Sequence, residues 1–310
     1  MNQAYVNTVR LLLAIAPSIF QSPCFAMKGG TALNLFVQEM PRLSVDIDVV
    51  FTERKLDRAD ALETISKALA QAQRDIETMG FRVTPLKSRQ GDEVKLLIDD
   101  GLAQVKVEVN FVFRGTVMPI ERRAMTTTAQ DLFTTSLALP VLDTAELYGS
   151  KLVAAMDRQH PRDMFDVAVM LQRFGWECAF VDCFVAYLAG HNRPVHEVLF
   201  PTVKPLEVMY MNEFRGMTTD ELPLAALEQT QHELIVQLPQ QLTPSHRKFL
   251  LSLVRAEPDW ALMPFKHLRE LPALKWKLLN LQKLRSKNPV RFAEQHRELQ
   301  ARFRALDDSS

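Results

Sequence analysis

An apolar run that ends in two glycines limits what the first fifty residues of this chain can become. Phe25-Ala26-Met27 reads as a short buried strand, followed by Lys28-Gly29-Gly30-Thr31-Ala32. Thr31 is placed as the N-cap of a helix through Ala32, Leu33, Leu35 and Phe36, ending before Pro41. Fifteen residues after Thr31 comes Asp46-Ile47-Asp48. Ser44–Phe51 alternates, with Val45, Ile47, Val49 and Phe51 on one face and Asp46 and Asp48 on the other. Glycine has no Cβ, so its backbone can approach a ligand closely. The helix behind it offers unpaired N–H groups and a positive dipole end, both suited to phosphate. Taken alone, the same glycine pair serves a tight turn with a capping threonine.

Around this unit the periodicity sets an element order. Residues 3–20 are apolar at helical spacing, and residues 57–79 form a long helix closed by Gly80. Phe81–Leu86, Val94–Ile98 and Val105–Phe113 read as strands, with Asp99-Asp100-Gly101 as a turn. Val105, Val107, Val109, Phe111 and Phe113 share one face, opposite Lys106, Glu108, Asn110 and Arg114. From Thr128 onward the strand pattern is lost. Asp143–Met156 is helical; a further helix opens at His160-Pro161, runs to Phe174 and stops at Gly175. The fold class is therefore α/β: a mixed-sheet domain over residues 1–125, then a mostly helical domain over 126–310.

The 310 residues carry equal numbers of Lys+Arg and Asp+Glu, so net charge names no partner class. Its distribution does more. From Lys266 to Arg304 there are eleven Lys/Arg against three Glu, a basic tail of about +8. Trp276, Phe292 and Phe303 are interleaved with those cations, and Leu268, Leu271, Leu274, Leu278, Leu279 and Leu281 offer a core face. Both a nucleic-acid surface and a cationic helix packed on the body fit that pattern. Cys24, Cys178 and Cys183 have neither disulfide nor metal spacing, and a reducing cytoplasm is expected. Leu11–Ala16 after Arg10 faintly resembles a signal peptide but lacks its cleavage site, so a packed helix is expected there. No apolar run reaches the ~18 residues of a spanning helix, and no membrane role is expected.

The acid pair changes the weight of the glycines. Two carboxylates two residues apart on one strand face can share divalent ions, which substrate phosphates complete. Glu108, on the polar face of a later strand, is either a third carboxylate or a cross-strand partner of Lys106 or Arg114. Lys151 and Arg158 share a helix face. On the next helix Asp163 and Asp166, and Arg162 and Asp166, are neighbours at i, i+3 and i, i+4. That second group is either a salt-bridge network between two helices or part of a site. His160 and His191 read as structural.

Gly29-Gly30-Thr31 followed by Arg42-x-Ser44-x-Asp46-Ile47-Asp48 resembles the signature of the DNA polymerase β-like nucleotidyltransferases. Glu146-Leu147-x-x-x-Lys151-Leu152, then Arg158, then Arg162-Asp163-x-x-Asp166, is similar to the second signature of the AbiEii/AbiGii toxin family. The resemblance covers roughly residues 20–175. It implies an NTP-dependent transferase with Mg²⁺ or Mn²⁺ at Asp46 and Asp48, the family's third carboxylate being variable. Gly29, Gly30 and Thr31 would cradle the β- and γ-phosphates, and Lys151 would bind the triphosphate. Asp166 or Asp163 would orient the acceptor or act as base. Lys28 and Arg42 would neutralise charge, with Ser44 and Arg162 in the same nucleotide-binding set. The helical domain would supply the second wall of the site.

The resemblance further implies a toxin of a toxin–antitoxin or phage-defence system, with a cognate antitoxin and a tRNA or protein acceptor. Two rivals remain open at this point. A small-molecule nucleotidyltransferase of the antibiotic-modifying kind would have an acidic acceptor pocket. A non-catalytic nucleotide-binding protein would bind NTP without forming product.

Overall fold

The computed structural model describes residues 2–87, 93–219 and 222–308. The chain divides into two compact units: Met1–Leu147 with Arg215–Glu221, and Tyr148–Phe214 with Leu222–Ser310. The sequence suggests a boundary near residue 125. The first unit runs further because Ala138–Val141 joins its sheet.

In chain order the first unit holds α1 (Gln3–Phe20), β1 (Phe25–Lys28), α2 (Gly29–Phe36), β2 (Asp46–Phe51) and α3 (Arg58–Thr78). It continues with β3 (Arg82–Lys87), β4 (Glu93–Asp99), β5 (Gln104–Asn110), β6 (Glu121–Ala124), α4 (Thr127–Phe133) and β7 (Ala138–Val141). The strands form one sheet in the order β3-β4-β5-β2-β1-β7-β6. β1 is antiparallel to β2 and parallel to β7, and β2 is parallel to β5. Helix α1 packs on β1, β2, β5 and β7, and α3 packs on α1 and β3. The side chains pointing at those helices, among them Ile47, Val49, Val105, Val107 and Val109, are buried. The opposite face of β2 and β5 is left with Asp46, Asp48, Lys106 and Glu108.

Two strand expectations change. The strand expected to reach Phe113 ends at Asn110. The Asn110 carboxamide oxygen accepts from the N–H groups of Val112 and Phe113 at 2.9 and 3.1 Å, and that turn replaces the ladder. The loss of strand pattern after Thr128 is also corrected by β7, whose four residues include Pro140. A segment that short, with a residue that cannot donate to a ladder, carries almost no alternation signal.

The second unit takes up helix α5 (Thr144–Arg158) from Tyr148 onward and adds α6 (Pro161–Phe174), α7 (Cys178–Gly190), α8 (Val195–Leu199) and α9 (Glu207–Glu213). It then adds α10 (Leu224–Gln237), α11 (Pro244–Val254), α12 (Pro272–Lys287) and α13 (Pro289–Asp307). Tyr148 packs its ring on Phe180 and Phe174, at 5.0 and 5.7 Å between centroids. One residue further on, a Cβ on Gly149 would lie 2.5 Å from Cys183 Cβ and 2.6 Å from the Phe184 backbone nitrogen. Glycine lets α5 and α7 cross at that spacing. Gly149→Ala is expected to cost about 1–3 kcal/mol by overpacking, seen as a lower urea midpoint at unchanged slope. An unchanged midpoint would refute the tight crossing.

The apolar face of α12 differs from the expected one. Leu271, Leu274 and Leu281 are buried, but Leu279 is exposed. Lys277 turns inward instead, donating to the backbone carbonyls of His191 and Arg193 at 2.9 and 2.6 Å, just past the end of α7. Burial pushes its pKa down to about 8.

Candidate functional site

Helix α2 starts at Gly29, three residues earlier than expected, with Lys28 in extended geometry at the N-cap. Thr31 is therefore not the cap. It lies in the first turn, and its hydroxyl donates to the Asp46 carbonyl, tying the helix to the first residue of β2. Gly29 has φ = +75°, and an added Cβ would stand 2.0 Å from Asp48 Oδ2. The backbone of the glycine turn thus lies directly against the Asp48 carboxylate. At Gly30 a Cβ would meet the Arg42 guanidinium at 2.6 Å and Ser44 Oγ at 2.9 Å. The two glycines are where four signature residues converge: Asp48 on the first, Arg42 and Ser44 on the second, and Thr31 one residue on.

Arg42 is buried, and its guanidinium donates to the Leu43 carbonyl at 2.9 Å. This stretch is braced from far along the chain. Leu43 N–H donates to the Met217 carbonyl at 2.8 Å, Asn2 N–H to the Gly216 carbonyl at 3.1 Å, and Arg42 forms a β-bridge with Thr218. Nothing in the sequence marked residues 216–219 as support for the signature.

The sheet register decides which charges share a face. Asp48 stands opposite Lys28 on β1 and Glu108 on β5, and Asp46 stands opposite Lys106. Lys28, Asp48, Glu108 and Asn110 line one pocket. Glu108 accepts from Lys106 at 2.7 Å and from Lys95, opposite it on β4, at 3.1 Å. Burial raises its pKa, but those two ammonium groups outweigh burial and hold it below the usual carboxylate range. Arg114, the other partner weighed for Glu108, donates instead to the Asp57 carbonyl at 3.2 Å.

The second group of residues comes together within the second unit. Lys151 Nζ lies 2.9 Å from Asp163 Oδ1 and 2.9 Å from Asp166 Oδ2, and all three side chains are buried. Arg158 adds a two-pronged contact to Asp163, at 2.5 and 2.8 Å. Burial raises the Asp163 pKa. The Lys151 charge and the Arg158 bonds overcome it and keep the carboxylate ionised well below the usual range. His160 caps α6 by accepting from Arg162 N–H at 3.1 Å, and His160 Nε2 and Arg162 Nη2 both reach Glu213 at 3.2 Å. Glu213 lies 51 residues from Arg162 and carries no sequence signal. Glu146 belongs to the first unit: its carboxylate, fully buried, accepts from Val117 and Met118 N–H at 2.8 and 2.9 Å.

A glycine turn against a strand carboxylate, a second acid two residues away and an Arg/Ser pair behind the helix start form one signature. The family model for the nucleotidyl transferase AbiEii toxin of type IV toxin–antitoxin systems matches residues 10–279. The chain belongs to that family. Among solved structures it is similar to MenT4, a nucleotidyltransferase toxin from Mycobacterium tuberculosis H37Rv, at 19% identity and a TM-score of 0.56, over 87% of this chain and 92% of that one. That likeness establishes the fold, an α/β nucleotidyltransferase sheet with a helical C-terminal region. A search of curated proteins finds no significant match. As an AbiEii family member the protein is a nucleotidyltransferase.

The donor set bears on the metal that such transferases use. Magnesium is commonly held by one or two carboxylates together with substrate phosphates. Asp46 and Asp48 offer that pair on one strand face. Among the described residues no group of three or more His, Cys, Asp or Glu forms an all-protein cage, and Glu108 is engaged by two lysines. The residues fit an ion shared with a triphosphate.

Proposed function

We propose that this AbiEii protein transfers a nucleoside monophosphate from an NTP to an acceptor RNA and releases pyrophosphate, acting in the cytoplasm as the toxin opposed by a cognate antitoxin. The observation that carries the reading is the contact of Gly29 with Asp48, which sets a helix N-terminus beside a metal-type acid pair. In the transfer, an acceptor hydroxyl oxygen bonds to the α-phosphorus and the bond to the β-phosphate oxygen breaks. The hydroxyl proton passes to a carboxylate or to water. Gly29, Gly30 and Thr31 hold the phosphates at the start of α2, with Lys28, Arg42 and Ser44 beside them. Asp46 and Asp48 hold a divalent ion, which would offset charge on the phosphates when bound. Glu108 is assigned to positioning, because its charge is answered by Lys95 and Lys106. Lys151 and Arg162 are assigned to the triphosphate. Asp166 or Asp163, both on α6 beside Lys151, is assigned to orient the acceptor or act as base. Growth arrest in phage defence is the biological setting that fits such a toxin.

The test uses the whole protein with Mg²⁺, each labelled NTP in turn, and total tRNA. Label is expected on RNA, and Asp48→Asn is expected to reduce it by about 10³-fold, as for other losses of preorganised charge stabilisation. Label appearing on protein or on a small molecule instead would overturn the acceptor. Equal labelling by Asp48→Asn would overturn the site.

A further inference from the structure

Helix α12 carries five cations, Lys275, Lys277, Lys283, Arg285 and Lys287, and no acidic residue. Lys277 is satisfied inside the unit by two carbonyls. Arg285 reaches Glu257 at 3.4 Å and lies over the Phe292 ring. Lys275, Lys283 and Lys287, with Arg291 at the start of α13, are exposed. Among the described residues none of these four has an ion-pair partner. Elsewhere in this unit, Arg158, Arg162, Arg193 and Arg247 all meet carboxylates.

The same stripe exposes two large apolar side chains, Trp276 at 50% and Leu279 at 58%. Positions 276, 279, 283 and 287 follow at spacings of three, four and four, so they share one helix face. An indole left in water among unopposed ammonium groups matches single-stranded nucleic acid, where bases stack on aromatic rings and cations follow the backbone. A membrane surface needs a broad apolar face, but here that face points inward with Leu271, Leu274 and Leu281. A protein interface is a poorer fit, because lysine is depleted there. The family match stops at residue 279, so Lys283, Lys287 and Arg291 lie beyond it.

We propose that the outer face of α12, with Arg291, docks a single-stranded stretch of the acceptor RNA, with Trp276 under a base and Lys275, Lys283, Lys287 and Arg291 on phosphates. This deepens the RNA reading above and rests on it. Binding of a fluorescein-labelled single-stranded RNA would be followed by anisotropy across a salt series. The whole chain would carry Asp48→Asn, so that no transfer intervenes. The triple variant Lys275→Glu/Lys283→Glu/Lys287→Glu should bind about tenfold more weakly or worse. Each lost cation lowers the slope of log affinity on log salt by about 0.7, so that slope should fall by about 2. Trp276→Ala should lose about tenfold in affinity with the slope unchanged. Unchanged melting would confirm that both variants fold, as expected for exposed positions.

RNA affinity unchanged in both variants overturns the docking surface. So does charge-reversible binding of polyglutamate or phosphatidylserine vesicles that exceeds RNA binding. If RNA is still labelled by the Asp48 enzyme while the variants bind as wild type, only this inference fails. If RNA is neither labelled nor bound, the RNA reading falls with it.

Discussion

Replacing Lys151 with methionine is expected to cost about 3–5 kcal/mol of folding stability, the range seen when one partner of a buried charge cluster is removed. The reason is the company Lys151 keeps. Asp163 and Asp166 are both fully buried, and Lys151 lies 2.9 Å from each. Methionine fills a similar volume, so the loss reports the stranded carboxylates rather than a cavity. Arg158 still serves Asp163 at 2.5 and 2.8 Å, so that carboxylate keeps a cation. Lys151→Met/Asp166→Asn should recover part of the loss, because one of the two acids that share Lys151 is then neutral. Urea unfolding measures both. A single variant within 1 kcal/mol of wild type would contradict the buried cluster, whatever its effect on catalysis. The cluster also has a pH signature. Asp163 has a folded pKa below its unfolded value of about 3.9. Its contribution is therefore fully present above that pH and is lost as the pH falls through the folded value. Wild type should lose more stability on acidification than Asp163→Asn.

Gly29→Ala is expected to lower nucleotidyl transfer by about a hundredfold, the scale set by moving a reacting group by roughly 1 Å. A new Cβ would sit 2.0 Å from Asp48 Oδ2, so either the turn or the carboxylate has to move. The left-handed backbone adds about 1–2 kcal/mol of strain. Gly30→Ala provides the comparison. Its Cβ would press on the ends of Arg42 and Ser44, which can shift. The expected loss there is smaller and falls on nucleotide affinity rather than on turnover. Transfer by Gly29→Ala within a few-fold of wild type would mean that the Asp48 position is not what the glycine protects.

Both signatures could be read from the chain because they are local. Alternation alone puts Asp46 and Asp48 on one face of β2, and a proline after His160 sets the start of α6. The residues left unread depend on long-range register. Lys95 answers Glu108 only because β4 lies antiparallel to β5 in one specific alignment, and single-strand alternation cannot supply that alignment. Gly149 has an unremarkable helical context, and its tight crossing is a property of α7. Leu279 and Lys277 exchange their expected places because two carbonyls past the end of α7 take the ammonium group inward. Strand β7 fails as a sequence signal for a local reason: four residues with a proline do not alternate visibly.

Residues 216–219, which brace Arg42 and Leu43, also order events in time. During synthesis the chain must add residues 148–219 before the backbone partners of Asn2, Pro41 and Leu43 exist. At about 5–20 residues per second that is roughly 4–14 s. Until then the first unit lacks its last segment, and the backbone at Pro41 and Leu43 lacks those hydrogen bonds. In this member of a toxin family, the brace behind the glycine turn is therefore in place only late in translation, well after the turn itself has been made.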